Sequence, residues 1–133
     1  MKNIFILSKI FFALLFVGIL ISFNQQKKKE KPQLVFEKTE HDFGKIYLGE
    51  GTVQYCFVFR NEGDAPLIIN NVSSSCGCSF AYWPRNPIAP QDTGSICVNY
   101  KNNRSGFFSK MLKVYSNTDP KRINLTIKGE TIR

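Results

Sequence analysis

One histidine, one tryptophan and two methionines are all this 133-residue sequence holds of those residue types, and the shortages narrow its chemistry first. With His41 as the sole imidazole there is no Ser-His-Asp order to read. Paired catalytic carboxylates and a glycine-rich phosphate loop are absent as well. Met1 and Met111 are few to complete a soft-metal site, and none of the four cysteines stands in a Cys-x-x-Cys pair. The sequence is therefore expected to be non-enzymatic and to carry no cofactor. Acidic residues are also scarce, 10 against 18 Lys and Arg, but the excess of positive charge is uneven. Lys2, Lys9, Lys27, Lys28, Lys29 and Lys31 against Glu30 place five of the eight net charges in residues 1–33. The other hundred residues keep an ordinary soluble surface, without the concentrated stripe of a nucleic-acid binder.

What is present begins with an apolar run. Residues 4–23 are apolar apart from Ser8, Lys9 and Ser22, and the stretch from Ile10 to Phe23 carries no charge. A basic start followed by such a run reads as a signal peptide or membrane anchor over residues 1–23. A small-x-small cleavage site is missing and no cysteine follows the run, which favours a retained anchor over a processed leader or a lipoprotein. Residues 24–33, NQQKKKEKPQ, are polar and basic and read as a linker.

From Leu34 the pattern changes to short alternating runs separated by turn residues. Val53, Tyr55, Phe57 and Phe59 share one face of a strand, as do Ile96, Val98 and Tyr100 of another. About seven such strands with no helical periodicity predict an all-β chain over residues 34–133: a single antiparallel Ig-like β-sandwich, preceded by an N-terminal apolar helix.

The order of motifs narrows this further. HDFGKIYLGE, FVFRNEGDAPLIINNVSSSCGCS, PIAPQDTGSICVNY, GFFSKMLKVYSN and INLTIKGE follow one another over about residues 36–130. That succession resembles the bacterial DUF1573 family, whose centre reads roughly F-x-N-x-G-x-x-P-L-x-I and then a Cys-Gly-Cys-Thr-like element. The resemblance implies an exported Ig-like domain of uncharacterised molecular function. One position departs: Gln91 stands in Ala89-Pro90-Gln91-Asp92 where the family usually has glycine, which puts the type of that turn in question.

Four cysteines in an exported chain favour disulfides. Cys56 and Cys97 are out of phase with the apolar faces of their strands and are expected to point away from the core. In an Ig-like order these strands are neighbours, so the two residues are candidates for a cross-strand disulfide; two shielded thiols are the alternative. Cys76 and Cys78, one glycine apart, are candidates for a strained disulfide, for a soft-metal (copper) or redox role, or for inert packing. His41 is expected to be partly exposed and hydrogen-bonded. Tyr82, Trp83 and Arg85 follow in a connecting segment that reads as a candidate partner-binding loop, with Trp83 alternatively folded over the core. The leading expectation is an interaction or structural module of the cell envelope, in the periplasm or at the cell surface. The N-terminal segment would hold it at a membrane, and its partner would be an envelope protein or a glycan. A thiol-based copper-binding or redox protein is the alternative.

Overall fold

Two four-stranded sheets account for the apolar alternation, one on each side of a single core. The computed structural model describes residues 3–11, 13, 29–77 and 79–133. Among them are β1 (Leu34–Phe36), β2 (Glu40–Tyr47), β3 (Thr52–Asn61), β4 (Ile69–Ser74), β5 (Ser79–Tyr82), β6 (Thr93–Lys101), β7 (Gly106–Ser116) and β8 (Arg122–Ile132). The first sheet has the order β1-β3-β6-β5 and the second β2-β8-β7-β4. Period-two alternation puts Phe57, Phe59, Ile96 and Val98 on the inner face of the first sheet. Leu112, Leu125 and Ile127 face them from the second, all fully buried.

The expectation of an antiparallel sandwich needs one correction, because β2 pairs with β8 in parallel. The cause is a corner. β1 runs antiparallel to β3 in the first sheet, and the chain then crosses to the second sheet at Glu37–Thr39 without reversing. The Glu37 amide still donates to Val58 O of the first sheet (3.1 Å), while the Thr126 amide donates to Thr39 O of the second (2.8 Å). A strand that changes sheets without a hairpin keeps its direction, and its neighbour there runs the same way. β5 is a further strand where the sequence pattern predicts a connection, and it raises the described strands to eight.

The F-x-N-x-G-x-x-P-L motif has a mechanical reading. Phe59 points into the core, and Asn61, two residues on, is fully buried among three chain segments. Its Oδ1 accepts from the Gln33 and Gly63 amides (3.2 and 3.1 Å), and its Nδ2 donates to the Ala65 and Ile88 carbonyls (2.8 and 3.1 Å). One amide thus ties the β3–β4 connection to the approach to β1 and to the loop before β6. Gly63 lies so close to that approach that a Cβ would stand 2.2 Å from Lys31 O and 2.6 Å from Gln33 N, so the position admits only glycine.

Gln91 takes the backbone conformation that the usual glycine would take. Its φ is 68°, and the Asp92 amide donates to Ala89 O (3.1 Å), so Pro90 and Gln91 occupy the corners of a turn that requires positive φ at its third residue. The Gln91 amide donates to Asn61 O (2.8 Å) and its carbonyl accepts from Arg60 Nε (3.1 Å), which holds the strained residue in place. Gln91→Gly is expected to stabilise the fold by about 0.5–1 kcal/mol, the left-handed penalty less the added chain entropy of glycine. Urea unfolding checks this, and a lower midpoint in the variant would contradict it.

Residues 3–11 and 13 are helical, with Ile4, Phe5, Leu7 and Phe11 exposed. No helix among the described residues is long and apolar enough to cross a membrane. The rest of the segment expected to be a signal peptide or anchor, residues 1–2, 12 and 14–23, lies outside the described residues, as do residues 24–28 of the linker.

Candidate functional site

The residues singled out for chemistry gather around β5, the open edge of the first sheet. Alternation along its four residues turns Ser79 and Ala81 inward and Phe80 and Tyr82 outward. Phe80 is 49% and Tyr82 63% exposed, with ring centroids 5.9 Å apart and planes at 84°. The β5–β6 register sets Phe80 beside Asn99 and Tyr82 beside Cys97. The next strand continues both rows: Gln54 pairs with Asn99 and Cys56 with Cys97. Gln54 Nε2 donates to Asn99 Oδ1 (3.0 Å). Cys56 and Cys97, on the same outer face and directly opposite, are joined by a disulfide. With Val58, which is also exposed, the outer face carries an apolar patch centred on that disulfide and bordered by two aromatic rings.

Cys76 stands at the turn where the chain passes from β4 to β5, and it is disulfide-bonded. Its amide donates to Ser74 Oγ (3.3 Å), and its Sγ lies 3.7 Å from Ser79 Oγ. The Ser74 and Ser79 hydroxyls meet at 2.5 Å. On the other side Ser75 exchanges hydrogen bonds with the Met111 backbone, through its amide (3.0 Å) and its hydroxyl (3.3 Å). The serines of the SSSCGCS run therefore fix the crossover between the two sheets. Cys78 lies outside the described residues. Among the described residues no group of three or more His, Cys, Asp and Glu is placed to hold a metal ion.

The segment expected to form a binding loop divides three ways. Tyr82 belongs to β5 and faces outward, whereas Trp83 turns back and packs, half-buried, against the core. The Arg85 guanidinium lies 3.9 Å over the Trp83 ring, a cation–π contact that caps the indole. Trp83 is thus a fold residue, while Tyr82 and Arg85 remain at the surface. Phe80 carries no sequence signal of its own, since a four-residue alternation between a cysteine pair and a proline gives too short a period to read.

His41 is far from this edge, on β2. Its ring stacks on Tyr55 (centroids 3.6 Å, 6°) and meets Phe43 edge-on (4.6 Å, 89°), so ring contacts stand where the sequence predicts a hydrogen-bonding role. Burial pushes its pKa below the ordinary imidazole value; Asp42 opposes that shift and Lys38 adds to it. An imidazole with a lower pKa folded than unfolded leaves the unfolded chain binding more protons. Its contribution to stability is present above about pH 6.5 and is lost as pH falls through the folded pKa. Urea midpoints are expected to fall on acidification just below pH 6.5, and His41→Phe is expected to remove that slope. An imidazole titrating above 6.5 by NMR would contradict this.

A concavity of about 320 Å³ lies at the β2 bulge beside Phe107, which is 86% exposed. Its charges are mixed, with Asp42, Lys45, Lys128 and Glu130 around the ring and Lys128 already paired to Glu40. Its lining residues all fall within the motifs HDFGKIYLGE, GFFSKMLKVYSN and INLTIKGE, but none of the candidate site residues is among them.

Comparison with known proteins bears on the fold. The sequence profile of a protein family described as "Protein of unknown function (DUF1573)" matches residues 34–131. No curated protein matches the sequence. Among solved structures, a protein of unknown function from Porphyromonas gingivalis W83 is similar with a TM-score of 0.67 and 16% identity. That likeness covers 81% of this chain and 50% of that one, so the chain spans half the length of that protein. The ASH/PapD-like domain 7 of human CEP192 is similar at a TM-score of 0.64 and 12% identity, over 77% of this chain and 87% of that one. The VesB protease of Vibrio cholerae is similar at 0.62 and 14%, over 76% of this chain but 32% of that one. At these identities the likeness shows a β-sandwich and nothing of activity.

Proposed function

We propose, for a chain that belongs to the DUF1573 family, that it is a non-enzymatic interaction module of the cell envelope whose binding surface is the β5 edge and the adjoining outer face. The observation that carries this reading is the exposure of Phe80 and Tyr82 beside the Cys56–Cys97 disulfide on a short edge strand. Exposed aromatics on a rigid, cross-linked sheet are what protein recognition uses, because they bring contact area at little entropic cost. The near-perpendicular rings form a notch rather than the flat platform on which a sugar face would lie, so of the two partner classes a protein fits better. Export is supported by the N-terminal basic and apolar sequence and is compatible with the disulfide. The same N-terminal segment would hold the module at a membrane.

The test is quantitative co-purification from membranes of producing cells, comparing wild type with Phe80→Asp/Tyr82→Asp and with Phe107→Asp on the other sheet. The double variant is expected to lose the co-purifying proteins that the Phe107 variant keeps. Equal recovery from all three would sink the reading.

A second reading is favoured by one observation, that Cys76 is disulfide-bonded at a turn rather than in a packed strand. In this reading the Cys-Gly-Cys element is a redox pair, or when reduced a thiolate site for a soft ion such as Cu(I). Thiol titration with and without reductant, followed by Cu(I) binding to Cys76→Ser/Cys78→Ser, tests it. Unchanged copper uptake in that variant removes the metal branch, and thiols inert to reductant remove the redox branch.

A further inference from the structure

We propose that the partner met by the β5 edge is a second copy of this chain, added strand to strand. The inference rests on the interaction-module reading above and names its partner. No Asp, Glu, Lys or Arg occurs among the twenty residues 65–84, the longest charge-free run in a chain of net charge +8. That run builds both β4 and β5, the end strands of the two sheets on one side of the sandwich. The opposite side is guarded differently: β2 carries Glu40, Asp42 and Lys45 and a bulge, and β1 is flanked by Lys31, Glu37 and Lys38. Charges and bulges on an edge are the devices that prevent strand addition. Here the charges are present on one side of the fold and absent from the other, and although the β4 ladder shifts register between Ile69 and Asn71, the ladder of β5 with β6 runs without a shift.

A basic protein approaching its own copy needs a face without like charge, and the β4–β5 side supplies one. Arg85, the first charge past the run, is held over Trp83. The symmetry also fits the strand. A two-fold axis perpendicular to the sheet keeps outer faces outer and pairs β5 with its copy antiparallel about Ala81. Phe80 of each chain then lies opposite Tyr82 of the other, and Ala81, the small inward residue, meets itself at the axis. Two cross-strand aromatic pairs result, the kind of neighbour that stabilises a sheet ladder. The product is one continuous sheet with the order β1-β3-β6-β5 in each half. Three paired residues in each strand are few beside a stable interface, so the association belongs to the weak, transient class.

Photo-crosslinking captures such a contact in the full chain. With p-benzoylphenylalanine in place of Phe80, illumination is expected to give a covalent homodimer whose cross-link maps to residues 79–84 of the second copy. The same probe at Phe107 is expected to give none. Adding Tyr82→Lys, at an exposed position, is expected to cut the dimer yield about tenfold by removing both aromatic pairs and facing charge across the axis. A cross-link from position 80 to a different protein would overturn self-association and leave the interaction-module reading standing. No adduct from position 80, with the protein folded by circular dichroism, would overturn both. A homodimer insensitive to Tyr82→Lys would overturn the proposed register and, with it, the edge pairing.

Discussion

Asn61→Ala is expected to lower the free energy of unfolding by about 3–4 kcal/mol, a loss that an ordinary surface asparagine would not cause. The side chain is fully buried, and its four hydrogen bonds reach the amides of Gln33 and Gly63 and the carbonyls of Ala65 and Ile88. Alanine leaves these groups without the amide while the surrounding chain still excludes water, and a buried group left unsatisfied costs about 1–3 kcal/mol. The Ile88 carbonyl suffers least, because the Leu67 amide also donates to it (2.9 Å). Urea unfolding measures the change, which should appear as a shifted midpoint with an unchanged slope. Asn61→Asp separates the two halves of the network: it keeps acceptors for the amides but turns a carboxylate toward two carbonyls. That variant is expected to be as unstable as alanine at neutral pH and to recover part of the loss in acid, where a protonated carboxyl can donate. A loss under about 1 kcal/mol in the alanine variant would mean that water replaces the amide and that the loops are not tied through it.

Removing the cross-strand disulfide by Cys56→Ala/Cys97→Ala is expected to cost about 4 kcal/mol, the chain-entropy value for closing a loop of that length. The two residues are 41 apart in sequence, and the bond acts mostly on the unfolded chain. The folded strands hold their register without it, since nine residue pairs from Thr52↔Lys101 to Arg60↔Thr93 join β3 to β6. The variant should therefore fold to the same sandwich, with the same far-ultraviolet spectrum, and unfold at a lower denaturant concentration. Its slope against denaturant should rise, because an uncrosslinked chain exposes more surface when it opens. If stability were unchanged, the bond would be absent from the purified protein, and a thiol titration of the wild type would say so.

The alternation of β3 and β6 makes the faces of Cys56 and Cys97 legible from residue order alone, since a period of two is set by backbone geometry. That the two stand directly opposite is not legible there, because register depends on where the intervening chain lets the strands meet. The parallel pairing of β2 with β8 is hidden for a related reason. Its partners Glu40 and Thr126 are 86 residues apart, and nothing in the local pattern at Glu37–Thr39 distinguishes a sheet-changing corner from a hairpin. Leu67 has the apolar pattern of a strand shared with Ile69, yet it bridges only to Ile88, and the ladder with β7 begins at Ile69. At the candidate site, residue type marks Tyr82 and the cysteines, whereas nothing in the sequence pattern marks Phe80. A missing glycine at Gln91 puts the turn in question on sequence grounds, but Arg60 and Asn61 at the end of β3 bond to its carbonyl and amide and keep a left-handed glutamine in place.

The parallel ladder between β2 and β8 has a consequence for a domain loaded between its two ends. Tension that draws β2 toward its N-terminus and β8 toward its C-terminus pulls two strands of the same polarity in opposite directions along a common axis. The ladder from Glu40↔Thr126 to Tyr47↔Ile132 is then sheared, and its hydrogen bonds share the load at once, whereas an antiparallel hairpin pulled from its open end would unzip one bond at a time. The corner that sends the chain from one sheet to the other thus gives this sandwich the geometry of a mechanical clamp.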